Sequence, residues 1–119
     1  MLTKTGITHS SKEIYNLVKH FGPGKNVLCP AISFMATAEA IKRTGANIEF
    51  IDVDENGQIG QLTPINKVDA VVYVNLFGNL AKYDQLKKFC EERKIPLIED
   101  AAQSFGSFYK KIPSGKLGD

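Results

Sequence analysis

Residues 69–75 read Asp-Ala-Val-Val-Tyr-Val-Asn, and this stretch decides the fold class. It is apolar along most of its length and has a polar residue at each end, which is typical of a strand covered on both faces. Other short apolar stretches predict further strands of the same sheet. They lie at 27–30, 48–53 and 95–98, the last ending at Glu99-Asp100, with a final short strand expected at 107–109.

Helices are predicted between these strands, because apolar residues recur there at helical spacing. Ser10 begins a capping box, Ser33 is expected to cap the second helix, and Gly45 is expected to end it. Helices that alternate with strands favour an α/β fold, a doubly wound and mostly parallel sheet with helices on both faces. The predicted helices span 11–21, 34–44 and 83–93.

The composition excludes several classes of protein. The chain has 119 residues, of which 43% are hydrophobic and 24% charged, which indicates one globular domain or a piece of one. A formal charge of +2 is too small to predict nucleic-acid binding.

No apolar run approaches the roughly 20 residues that cross a bilayer, so we expect no membrane span and a cytoplasmic protein. Cys29 and Cys90 lack zinc-site spacing, so reduced thiols and no metal site are expected.

In a parallel sheet, ligands bind beyond the carboxyl ends of the strands. This rule predicts that 30–34, 75–78 and 100–103 converge on one pocket. Asp100 stands at the end of an apolar strand, where a carboxylate is costly without a partner. It could hold a cationic ring nitrogen or ligate a metal, or it could cap the segment that follows.

Three other residues could either bind a ligand or have a purely structural role. The ring of Phe34 could stack on a planar cofactor, or it could belong to the core. Ser10 and Ser11 lie at a predicted helix N-terminus, which favours an anion such as phosphate, although capping explains both serines equally well.

Five stretches together resemble one protein family, the DegT/DnrJ/StrS-type sugar aminotransferases. The family patterns, in chain order, are a GPGD-type turn followed by P-x-x-[ST]-[FW]-x-A-T-A, then GA-x-x-x-F-x-D-V-D, V-H-L-Y-G, I-E-D-A-A-Q and Y-K-G-x-x-x-G-x-x-G-D. The matching stretches here are 22–38, 45–54, 74–78, 98–103 and 109–119.

The resemblance implies part of a fold-type-I aminotransferase large domain that uses pyridoxal 5'-phosphate. Carried over by position, it assigns Asp100 to the pyridinium nitrogen, Phe34 to the ring face and Gln103 to the side of the ring. The family shows S-G-T-A-A-L at its phosphate-binding helix start, where this chain has Thr-His-Ser-Ser-Lys-Glu at 8–13. Ser10 and Ser11 are the candidate phosphate ligands there.

The resemblance also implies that residues 1–119 form a single partial large domain. In the family, an F-S-F-x-x-x-K-N segment carrying the Schiff-base lysine follows the G-D pair that matches Gly118-Asp119, and a small domain follows that. We therefore expect no catalytic residue in this chain, no activity on its own, and weak or absent binding of the cofactor.

The implied parent enzyme would move an amino group from a donor such as glutamate to a nucleotide-linked keto sugar, in polysaccharide biosynthesis, as a homodimer. Two alternatives stay open: a free-standing, non-catalytic ligand-binding or protein-interaction domain of the same fold, and an unrelated doubly wound domain. The resemblance fits the aminotransferases of the family and their dehydratase relatives alike.

Overall fold

The computed structural model describes residues 22–80 and 83–119. Two helices and one turn of 3-10 helix at Leu76–Gly78 connect or follow the strands; the helices are α1 (Met35–Arg43) and α2 (Tyr83–Arg93). The strands are β1 (Asn26–Pro30), β2 (Asn47–Ile51), β3 (Ala70–Val74), β4 (Leu97–Asp100), β5 (Phe108–Tyr109) and β6 (Ile112–Pro113).

Four of these strands form one parallel sheet in the order β2-β1-β3-β4. β5 and β6 pair separately as a short antiparallel hairpin. The expected α/β architecture with a parallel sheet is confirmed. The register pairs Val74 of β3 with Asp100 of β4, so that the carboxyl ends of these two strands lie side by side.

The two faces of the sheet are covered by different helices. Alternate residues of β3 point to opposite faces, as the period of a strand requires. Val71 and Tyr73 pack with Leu86 and Phe89 of α2, whereas the other face packs against α1. The buried cluster on the α1 side consists of Val27, Cys29, Ile41, Ala46, Ala70, Val72 and Ile98.

Several predicted boundaries were wrong by a few residues, for local reasons. β2 ends at Ile51 because Val53 turns away and forms an antiparallel bridge with Ile59. β4 begins at Leu97 because Ile95 still closes the end of α2, its N–H donating to the carbonyl of Cys90 at 3.0 Å. The predicted strand at 107–109 is β5, and its two-residue partner β6 was not predicted.

The caps of α1 differ from the prediction at one end. Phe34 is its N-cap residue and makes no side-chain capping bond, so the predicted Ser33 cap was wrong. The Ser33 hydroxyl instead lies 3.1 Å from the Thr37 hydroxyl. The expected stop at Gly45 is confirmed by its left-handed φ of 83°, which glycine adopts without strain.

The predicted helix 11–21, with Ser10 and Ser11 at its start, lies outside the described residues. The described residues contain no helix that is long and apolar enough to cross a membrane.

Candidate functional site

Asp100 is the last residue of β4, and its carboxylate is buried, with 5% of the residue exposed. One oxygen, Oδ2, accepts a hydrogen bond of 2.8 Å from the hydroxyl of Thr37. The other, Oδ1, accepts one of 3.2 Å from the backbone N–H of Ala102. The prediction that Asp100 caps the segment after β4 is therefore correct for Oδ1. The other oxygen, Oδ2, is bound by a side chain of α1. The carboxylate joins the end of β4 to the beginning of α1.

The N-terminus of α1 can stabilise the negative charge of a carboxylate from another part of the chain. Pro30 ends β1, and the chain then turns into a helix whose first turn carries no acidic residue. Partial positive charge accumulates at such an N-terminus. Asp100 contacts this turn through Thr37, so it lies where the helix dipole favours a negative charge.

Phe34 lies on the same turn, three positions before Thr37. Its side chain is exposed, with 70% of the residue accessible, so the core interpretation of this ring was wrong. An exposed aromatic ring is a platform on which a planar group can stack. The structure thus places Phe34 one helical turn from the residue that holds Asp100; its role toward a ligand stays a prediction.

Gln103 ties the loop after β4 to the loop after β3. Its side-chain Oε1 accepts a hydrogen bond of 3.1 Å from the backbone N–H of Phe77. Phe77 has a left-handed φ of 57° and is 82% exposed. The backbone N–H of Asn75 also donates to the carbonyl of Asp100 at 3.1 Å. The segments predicted to converge, 75–78 and 100–103, are therefore in direct contact.

A buried polar cluster lies on the opposite face of β4 and was not predicted. Glu99 accepts hydrogen bonds from the side chain of Asn75 at 2.6 Å and from that of Ser114 at 3.2 Å. Its two oxygens also accept from the backbone N–H groups of Gly115 at 2.9 Å, Leu117 at 2.8 Å and Gly118 at 3.3 Å. Ser104 completes the cluster through bonds to Asn75 and Ser114.

The sequence analysis missed the structural roles of Glu99 and Thr37, for different reasons. Glu99 precedes Asp100 in a strand, so the two carboxylates must face opposite sides of the sheet. That alternation is visible in the sequence and was a usable signal for Glu99. Thr37 carried no such signal, because a threonine near a helix start is common and its partner is 63 positions away.

The thiol of Cys29 lies in the cluster beneath the α1 side of the sheet. Burial, and then the nearby negative charge of Asp100, raise its pKa to about 12. This thiol is therefore neutral at physiological pH. It contributes packing and no reactive thiolate.

A separate cavity of about 510 Å³ lies along β2, lined by residues 49–54, 60, 61 and 63–65. In the sheet formed by the described residues, β2 lies at one edge and β4 at the other, with two strands between them. This cavity is therefore distinct from the segments around Asp100. Within 22–80 and 83–119, no group of three His, Cys, Asp or Glu side chains is placed to hold a metal ion.

A family model described as the DegT/DnrJ/EryC1/StrS aminotransferase family matches residues 10–119. Among curated proteins, the chain is 33% identical over 103 residues to UDP-2-acetamido-2-deoxy-3-oxo-D-glucuronate aminotransferase of Pseudomonas aeruginosa, covering 82% of this chain and 29% of that protein. It is 34% identical over 101 residues to GDP-perosamine synthase of Escherichia coli O157:H7, covering 81% and 28%. The chain thus spans less than a third of the length of these relatives.

Solved structures show the same fold. A putative sugar aminotransferase, Spr1654, from Streptococcus pneumoniae in its PLP form superposes with a TM-score of 0.82 at 23% identity, covering 92% of this chain and 33% of that one. A DegT/DnrJ/EryC1/StrS aminotransferase from Brucella abortus superposes with a TM-score of 0.74 at 28% identity, covering 85% and 30%.

Proposed function

Because the chain belongs to the DegT/DnrJ/EryC1/StrS aminotransferase family, we propose that it forms part of the large domain of a pyridoxal-phosphate-dependent enzyme that aminates a nucleotide-linked keto sugar. The proposed amino donor is an amino acid such as glutamate, and the proposed setting is polysaccharide biosynthesis in the cytoplasm. The family relatives named above act on nucleotide-linked sugars by name, which supports this substrate class.

The observation that carries the proposal is the buried carboxylate of Asp100, held by Thr37 one turn after the exposed ring of Phe34. The residues present fit a flat pyridine cofactor. A buried carboxylate matches a protonated ring nitrogen, and an exposed aromatic ring matches the face of the pyridine ring. Asp100 would hold the nitrogen, Phe34 the face, and Gln103 the side of the ring. Ser10 and Ser11 are the proposed phosphate ligands.

When bound, pyridoxal phosphate supplies an electron sink for the substrate. The chain's own residues have simpler tasks. Asp100 keeps a proton on the ring nitrogen through its negative charge. Phe34 covers one face of the ring and excludes water from it. Gln103, anchored to the backbone of Phe77 at 3.1 Å, limits where the edge of the ring can lie.

We propose that the 119 residues are one partial large domain and do not transaminate on their own. No lysine among them matches the family segment F-S-F-x-x-x-K-N. Lys110, Lys111 and Lys116 belong to the stretch that precedes that segment in the family pattern. Reading the DNA after the codon of Asp119 tests this directly: an in-frame continuation with that segment supports it, and an immediate stop codon favours a free-standing, non-catalytic domain.

We propose a homodimer as the assembled state. Large apolar side chains are exposed on the loops after β1, β3 and β4, including Phe34, Phe77 and Phe105. Exposed apolar side chains that form a patch mark interaction surfaces, and these loops follow neighbouring strands of the sheet. Light scattering at high protein concentration should show association, and a monomer throughout the concentration range would contradict it.

The test of the proposed site uses pyridoxamine 5'-phosphate, because it lacks the aldehyde that forms adducts with surface lysines. We expect weak binding to the 119-residue chain, detectable as chemical-shift changes by NMR. Asp100→Asn should weaken binding about tenfold, since the amide no longer stabilises a ring cation. Asp52→Asn changes an exposed carboxylate on the far side of the sheet and is the matched control. Equal binding by Asp100→Asn and the control would refute the assignment of Asp100.

A further inference from the structure

We propose that Thr37 is the positioning residue for Asp100: its hydroxyl fixes one carboxylate oxygen in the orientation that the proposed cofactor site needs. This inference rests on the proposed function, because Asp100 is the group there that meets the cofactor. Thr37 is fully buried, and its hydroxyl lies 2.8 Å from Oδ2 of Asp100. In this turn the N-cap residue Phe34 makes no side-chain capping bond, and Thr37 supplies the hydroxyl that reaches Asp100.

The direction of the hydrogen bond follows from the donors available. An ionised carboxylate only accepts, so Thr37 must give its single hydroxyl proton to Asp100. The oxygen of Thr37 then remains an acceptor, and Ser33 Oγ lies 3.1 Å from it. Ser33 Oγ also lies 3.2 Å from the carbonyl oxygen of Phe34, so the single Ser33 hydroxyl proton has two acceptors, Thr37 and Phe34. When that proton points to Thr37, it strengthens the bond from Thr37 to Asp100.

The use of this threonine is unusual for its position in a helix. Threonine hydroxyls in helices commonly bond a carbonyl of the preceding turn. Thr37 instead reaches a residue 63 positions away on β4. Its own backbone N–H bonds the carbonyl of Phe34 at 3.2 Å, so the turn that presents Phe34 is tied to the residue that holds Asp100.

Both oxygens of Asp100 are thus set by rigid elements. Oδ2 is held by the first turn of α1, and Oδ1 by the backbone N–H of Ala102 at 3.2 Å. A binding group whose orientation is set in advance loses less entropy when its ligand arrives. The inference is therefore that the loss of the Thr37 hydroxyl weakens binding through Asp100, without any contact between Thr37 and the ligand.

A purely structural role for Thr37 makes a different prediction. Thr37→Val keeps the shape and packing of the side chain but removes the hydroxyl, and Thr37→Ser keeps the hydroxyl but removes a methyl group. A packing role makes serine the worse substitution. A positioning role makes valine the worse one for any property of the Asp100 carboxylate.

The first measurement follows the carboxyl carbon of Asp100 by ¹³C NMR during a pH titration of the cofactor-free 119-residue chain. Loss of a hydrogen bond to the ionised form should move the midpoint in Thr37→Val upward by about one pH unit, and Thr37→Ser should stay near the parent chain. The titratable group facing Asp100 from β1 is Cys29, whose raised pKa of about 12 keeps it neutral throughout this range. An unchanged midpoint in Thr37→Val overturns the inference.

The second measurement is the affinity for pyridoxamine 5'-phosphate. Thr37→Val should bind roughly tenfold more weakly than the parent chain, and Thr37→Ser should restore the affinity. If the midpoint moves as expected but none of the three chains binds, the proposed cofactor site of this chain fails while the Thr37–Asp100 coupling stands. If affinity falls equally in both variants, Thr37 acts through packing and the inference is wrong.

A third measurement needs no variant and covers the case in which Thr37→Val does not fold. In the parent chain, the hydroxyl proton of Thr37 should give a resolved, slowly exchanging resonance, because it is buried and bonded to a carboxylate. Acidification that protonates Asp100 should speed its exchange. Rapid exchange of this proton at neutral pH would overturn the inference.

Discussion

The side chain of Asn75 donates a hydrogen bond of 2.6 Å to the carboxylate of Glu99, across the pairing of β3 with β4. Asn75 begins the loop after β3, and Glu99 immediately precedes Asp100. The same carboxylate accepts bonds from the backbone of Gly115, Leu117 and Gly118, so one buried side chain joins the loop after β3 to the C-terminal segment. The end of β4 is therefore held from both faces, by Glu99 on one and Asp100 on the other.

Glu99→Gln should destabilise the chain by about 2–4 kcal/mol. The amide keeps one acceptor oxygen but turns an N–H₂ group toward backbone N–H donors, which leaves buried groups unsatisfied. Urea unfolding measures the loss, and Glu91→Gln, an exposed position on α2, is the matched control. A midpoint equal to that of the control would show that the cluster contributes little.

Gly118→Ala should destabilise the chain by roughly 2–3 kcal/mol because there is no room for a side chain. A Cβ at this position would lie 2.9 Å from the backbone nitrogen of Glu99 and 3.0 Å from the carbonyl oxygen of Leu97. Gly106→Ala is the control, since a Cβ there meets nothing within 4 Å and only the left-handed backbone is strained, at about 1 kcal/mol. Thermal unfolding should rank Gly118→Ala below Gly106→Ala; the reverse order would contradict the contact.

Stability should fall as the pH rises above about 9. The pKa of Cys29 and that of Cys90 are each raised from 9.0 to about 12, chiefly by burial. Between those values the unfolded chain releases thiol protons that the folded chain retains, so each thiol lowers stability by up to about 1.4 kcal/mol per pH unit. Urea unfolding from pH 8 to 11 gives the slope. Cys29→Ala should flatten it, and an unchanged slope would argue against a buried thiol.

Tyr73→Phe should leave stability unchanged or raise it by up to about 1 kcal/mol. The Tyr73 hydroxyl is buried and has no hydrogen-bond partner among the described residues, so its removal costs no bond. Tyr109→Phe, which loses a bond of 2.9 Å to Asp84, is the comparison and should be slightly destabilising. A loss of more than about 1 kcal/mol in Tyr73→Phe would indicate that the hydroxyl has a partner.

Phe34→Ala should leave stability within about 0.5 kcal/mol of the parent chain, because the ring is exposed. It should nevertheless weaken the binding of pyridoxamine 5'-phosphate several-fold, since it removes the proposed stacking surface. Phe50→Ala removes another exposed ring, on β2, and should not affect binding. Equal affinities in the two variants would remove Phe34 from the site.

The pattern of apolar residues predicted the elements well where it was long and regular. Within the run at 69–75, Ala70–Val74 form β3, which is buried at every position, and the predicted helix 83–93 is α2 (Tyr83–Arg93). Short elements were harder. The hairpin of β5 and β6 has two residues in each strand, too few for any periodicity to be visible.

The sequence made Asp100 and Phe34 candidates because their neighbours are informative: an apolar strand that ends in a carboxylate, and an aromatic residue at a helix start. Whether Phe34 was core or surface was open in the sequence, since a single aromatic ring suits both. The packing of α1 settles it, because the buried face of that helix is taken by Thr37, Ala40 and Ile41.

The sequence by itself thus determined the fold class, the family and the end of the sheet at which Asp100 and Phe34 lie. The spacing of apolar residues within one helix or strand shows which of its residues are buried, so each segment of sequence can be interpreted without the others. Only the tertiary structure decided that Asp100 meets Thr37 while Glu99 meets Asn75 and the C-terminal segment. Those partners depend on the strand order β2-β1-β3-β4 and its register, which bring together residues far apart in the chain and which no single stretch carries.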